Sequence, residues 1–198
     1  MKKAILLILM TVIVTGTLFI LTGCAFNSGS TEAFEYTEGN VKLSVSYIKG
    51  SAYKRVTDEE GKKYRFETNM APDMQLVGDK GFIEFSFETF TNNDKNYAGY
   101  KEEIKNSMNN TGFKELKIND RDAFYREVGT SGYVFLAIDM TDIEYTTNPS
   151  NMLFLRIVIG GIDPEVTRGV DAYNEPDVQA IINSITLEKL DPDKRIES

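Results

Sequence analysis

The chain contains no histidine and a single cysteine, Cys24. Without an imidazole, no Ser-His-Asp triad and no Cys-His pair can form, and His-based zinc or iron sites are excluded. With one thiol, no intramolecular disulfide can close. The sequence also lacks a Gly-x-x-x-x-Gly-Lys-Ser/Thr loop and a Gly-x-Gly-x-x-Gly fingerprint, so two common phosphate cradles are missing. It has no basic cluster. Lys and Arg number 22 against 30 Asp and Glu, and the resulting formal charge of −8 opposes binding to nucleic acid or anionic headgroups.

What is present begins at the N-terminus. Lys2 and Lys3 give a positive start, an uncharged and mostly apolar run covers residues 4–21, and small residues lead into Cys24. That order describes a secretory signal peptide. The ending Leu21-Thr22-Gly23-Cys24 resembles the lipobox of bacterial lipoproteins. The resemblance implies transfer of diacylglyceryl to the Cys24 sulfur and cleavage between Gly23 and Cys24. A transmembrane anchor is the competing reading of 4–21, since its length just permits a span. The Thr-Gly-Cys ending, followed at once by a Ser/Gly/Thr/Asn-rich stretch, favours cleavage. Two acyl chains hold a protein stably at a membrane where one does not. Cleavage removes Lys2 and Lys3, leaving the chain two units more negative than −8.

Four segments are expected. Residues 1–23 form the signal peptide. Residues 24–39 carry the lipidated cysteine and a flexible tether, with a reach of roughly 50 Å extended and nearer 20 Å as a coil. Residues 40–190 form one domain, large enough to bury a core without staples. Residues 191–198 form a polar tail. Val41, Leu43, Val45 and Tyr47 alternate with polar residues, which predicts a half-buried strand. Charged hairpin loops are expected at 58–62 and 78–81. Tyr97, Tyr100, Ile104 and Met108 fall on one helical stripe, with Asn93 or Asp94 as its cap and Gly112 at its end. Strands are predicted over 113–118, 123–128, 133–140 and 152–159, with turns at 119–120 and 129–132. Such short links require antiparallel neighbours. The run 133–140 is apolar almost throughout, which predicts a central strand covered on both faces. Pro176 opens a helix carrying Val178, Ile181, Ile182 and Ile185, and a last strand follows over 186–190.

This order, together with Val41 to Gly50 (VKLSVSYIKG), Phe113 to Val128 (FKELKINDRDAFYREV) and Val178 to Leu187 (VQAIINSITL), resembles the PsbP-like superfamily. Asp120 stands where that superfamily often has Gly. The resemblance implies an α+β fold, an antiparallel central sheet flanked by helices as an α/β/α sandwich. The metal-binding histidines of some members have no counterpart here.

Carboxylates are the remaining chemical candidates. Asp139, Asp142 and Glu144 follow a central strand and are candidate ligands for a hard cation such as Ca²⁺, although their spacing matches no known calcium loop. Tyr53, Tyr145 and Tyr173 sit in or beside polar loops and are candidate recognition anchors. No catalytic residue and no cofactor is assigned. The expectation is a lipoprotein on the extracytoplasmic face of the cell membrane, not an enzyme, that binds or assembles with another envelope protein. The alternative is a small-ligand or cation receptor feeding a transporter or sensor.

Overall fold

The computed structural model describes residues 31–48, 53–55, 75–90, 96–107, 110–129, 132–143, 151–162 and 168–191. Among these lie ten strands: β1 (Thr31–Glu38), β2 (Val41–Ile48), β3 (Lys54–Arg55), β4 (Gln75–Val77), β5 (Gly81–Phe90), β6 (Asn110–Ile118), β7 (Arg121–Val128), β8 (Tyr133–Asp139), β9 (Asn151–Gly161) and β10 (Thr186–Lys189). The helices are α1 (Tyr97–Lys105), α2 (Gly169–Tyr173) and α3 (Pro176–Asn183). A large antiparallel sheet has the order β3-β4-β5-β9-β8-β7-β6, and a small one has the order β1-β2-β10.

Side-chain alternation along the strands decides what each face does. On the inner face of the large sheet, Ile83 and Phe85 pair with Ile159 and Ile157, and Leu136 and Ile138 continue the apolar surface on β8. Phe34, Leu43 and Val45 of the small sheet close over it, together with Ala172, Val178, Ile181 and Ile182 of α2 and α3. The rings of Phe34 and Phe85 lie 5.7 Å apart, and those of Tyr36 and Phe87 6.2 Å apart. On the outer face, α1 covers one end. Tyr100 stacks on Phe154 at 4.7 Å, and the buried Tyr97 hydroxyl donates to the Ala137 carbonyl at 3.1 Å. Strand β8 is buried over Val134 to Ile138, as its apolar run predicts.

The expected α/β/α sandwich is therefore corrected: this is a mostly β molecule in which a second sheet shares one face with two short helices. The physical reason is coverage. An eight-residue helix such as α3 is about 12 Å long. A seven-stranded sheet is about 29 Å wide at the usual strand spacing. Three short helices cannot roof two such faces, and the small sheet supplies the missing surface.

One of its two edge strands comes from residues expected to be tether. Thr31–Glu38 is rich in Thr and Glu, yet it pairs along its whole length with β2 and buries Phe34 at 1% exposure. Residues 31–38 thus belong to the fold and are not tether. Helix α1 is capped by Asn96, whose side chain accepts from the Gly99 amide at 2.7 Å. The predicted caps Asn93 and Asp94 lie outside the described residues, as does Met108. Gly112 does not end that helix. It sits within β6 at φ +66°, where the pairing with β7 shifts register. Gly160 belongs to β9 and is packed so closely that an added Cβ would overlap the rings of Phe82 and Tyr133. The 58–62 hairpin and the tail from 192 onward lie outside the described residues.

Candidate functional site

The turn between β6 and β7 has two residues, Asn119 and Asp120, with φ of +49° and +67°. A two-residue hairpin needs left-handed geometry at both positions to match the strand twist. Asn and Asp tolerate it better than other side-bearing residues. Ile118 and Arg121 close the hairpin as a register pair. The Asn119 amide then donates to the Ile185 carbonyl, tying the hairpin tip to the junction of α3 and β10.

Arg121 reaches across to the end of β8. Its Nη1 donates to the Asp139 carbonyl at 3.0 Å and to Asp142 Oδ1 at 2.6 Å, and its Nη2 donates to Asp142 Oδ2 at 3.1 Å. Both guanidinium prongs grip one carboxylate, the arrangement that fits the planar fork best. The hydrogen bonds from Arg121 hold the Asp142 carboxyl below its ordinary pKa of 3.8. Asp139 caps its own turn, with Oδ1 accepting from the Thr141 amide at 2.9 Å and from the Thr141 hydroxyl at 2.8 Å. Asp122 pairs with Lys117 at 2.9 Å, and that hydrogen bond lowers its pKa as well.

Two adjoining cavities share Asn119 and Arg121. The inner one, about 210 Å³, is lined by Ile118, Ile138, Ile185 and Leu187. The outer one, about 410 Å³, is rimmed by Asp120, Asp122, Asp139 and Asp142. The result is a half-open recess, aliphatic at Ile118, Ile138, Ile185 and Leu187 and polar at Thr186, that adjoins an acidic mouth and shares Asn119 and Arg121 with it.

Of the residues picked from the sequence, Asp139 and Asp142 are brought to this mouth. Glu144 and Tyr145 lie outside the described residues, as do Gly23 and Cys24. Among the described residues no group of three or more His, Cys, Asp or Glu side chains is placed to hold a metal ion. Tyr53 is a core residue at 3% exposure, not an exposed anchor. Burial pushes its phenol up to about 12, with the charges of Glu175, Asp177 and Asp79 adding to the effect. Tyr173 is half-buried and packs on Tyr125 at 5.0 Å. Asn119, Asp120, Arg121 and Asp122 reach the site without a motif in the sequence that marks them. Their only local signal is the Asn-Asp turn, with Asp at a position where the resembled superfamily often has Gly. No protein-family model, no curated protein and no solved structure matches this chain.

Proposed function

We propose that this protein is a lipid-anchored extracytoplasmic binding module that engages another envelope protein without catalysing a reaction. The observation that carries the reading is the leader, which runs from Lys2 to a lipobox-like Leu21-Thr22-Gly23-Cys24. Diacylation of Cys24 tethers the domain through two chains. The chemistry of the cleft suits recognition: Asp142, Asp122 and Asp139 are committed to Arg121, Lys117 and Thr141. The decisive measurement is mass spectrometry of the membrane fraction from cells fed a labelled fatty acid. A diacylated peptide starting at Cys24 is expected, and Cys24→Ser abolishes the label. An intact leader with a free thiol overturns the proposal.

A second reading, a receptor for a small organic cation, is favoured by the cavity pair itself. An aliphatic body fits the recess at Ile118, Ile138 and Ile185, and a positive end meets the aspartate rim. A panel of alkylammonium ions and divalent metals, read by thermal shift, separates the two readings. Saturable stabilisation that Asp120→Asn weakens supports the receptor, and a flat response across the panel dismisses it.

A further inference from the structure

The outer face of the large sheet carries a second polar cluster, remote in sequence from the hairpin tip. Register places Arg126 on β7 opposite Phe135 on β8, which lies opposite Val158 on β9. The half-buried Arg126 guanidinium sits 4.8 Å from the centre of the Phe135 ring. One row along, Arg156 lies beside Ala137, and its Nε is 3.0 Å from both Ser86 Oγ and Glu88 Oε1. Tyr100 approaches from α1, held by stacking on Phe154 and by contact with Phe124.

Arg126 differs from the other arginines at these sites. Arg121 grips Asp142 and Arg156 meets Glu88, whereas no carboxylate among the described residues pairs with Arg126. Its neighbours in the local field are Tyr100 and Arg156. Burial lowers its pKa, Tyr100 opposes that, and the second guanidinium adds to it. A guanidinium has five N–H donors and no acceptor. Holding one half-buried beside another cation costs stability, and among the described residues the Phe135 ring and Tyr100, not a carboxylate, are what offset it.

We propose that Arg126, flanked by Arg156 and Tyr100, is a subsite for the carboxylate of a small organic acid. The planar fork matches a planar carboxylate at two points. Glu88 on the same face makes a phosphate dianion a poor fit, while the half-buried Tyr100 ring offers apolar surface for the organic part. The subsite is independent of Cys24 acylation and of the Asn119 cleft.

The test titrates the full chain in detergent with benzoate, and separately with inorganic phosphate, at constant ionic strength. The readouts are the side-chain ¹⁵N–H resonance of Arg126 and the melting temperature. Saturable benzoate binding is expected, stronger than that of phosphate, with a rise in melting temperature. Arg126→Gln loses the response, and Arg126→Lys weakens it about tenfold because the charge stays while the fork is lost. Lys80→Gln, on the exposed pair with Glu175, binds as the parent does. A linear, non-saturating response overturns the proposal. So does a benzoate response that Arg126→Gln leaves intact, or tighter binding of phosphate.

Discussion

Arg121 holds both carboxylate oxygens of Asp142, at 2.6 and 3.1 Å, although the two residues stand 21 positions apart in the chain. The contact staples the start of β7 to the turn after β8. The Asp142 side chain is 66% exposed, so water screens most of the attraction.

Asp142→Asn therefore lowers stability at neutral pH and low salt by about 0.5 kcal/mol, and by less at high salt. The sign of the pH dependence follows from the depressed folded pKa. The contribution is fully present above the ordinary value of 3.8 and is lost as pH falls through the lower folded value. Urea unfolding of both proteins at pH 7 and at a series of pH values stepping down below 3.8 checks this. The two curves separate at pH 7 and converge in acid.

The Asn119-Asp120 turn yields opposite effects at adjacent positions. Asp120→Gly removes a Cβ from a residue at φ +67° and raises stability by about 0.5–1 kcal/mol. Asn119→Ala leaves a left-handed residue without its bond to the Ile185 carbonyl and lowers stability by about 1–2 kcal/mol. Thermal melts of the two variants should move in opposite directions from the parent.

Phe34 tests whether residues 31–38 belong to the fold. Its side chain is 1% exposed and its ring faces Phe85 across the two sheets. Phe34→Ala costs about 3–5 kcal/mol, the usual range for a buried ring. A residue in a solvated tether costs less than about 0.5 kcal/mol. Denaturation midpoints decide between the two outcomes.

Much of the strand pattern was legible from local alternation. Val41, Leu43 and Val45 point inward on β2 as their spacing implies, and Pro176 opens α3. The apolar run at 133–140 announced a central strand. The composition of Thr31–Glu38 argues for a solvated segment, and only Phe34 and Tyr36 mark its buried side. Pairing with β2 outweighs that composition, because a neighbouring strand satisfies the backbone and gives the aromatic residues a surface to cover.

The sequence by itself determined the chemistry that is closed to this protein and the periodicity of its strands and helices, since both depend on residue type and near-neighbour spacing. It also contained the lipobox-like leader on which the proposed anchoring rests. Only the tertiary structure decided that a second sheet, not a layer of helices, completes the core, that Arg121 meets Asp142, and that Arg126 meets no carboxylate among the described residues. Those facts depend on which distant strands lie side by side. That is a property of long-range pairing, and local periodicity sets the face a side chain takes without naming its neighbour.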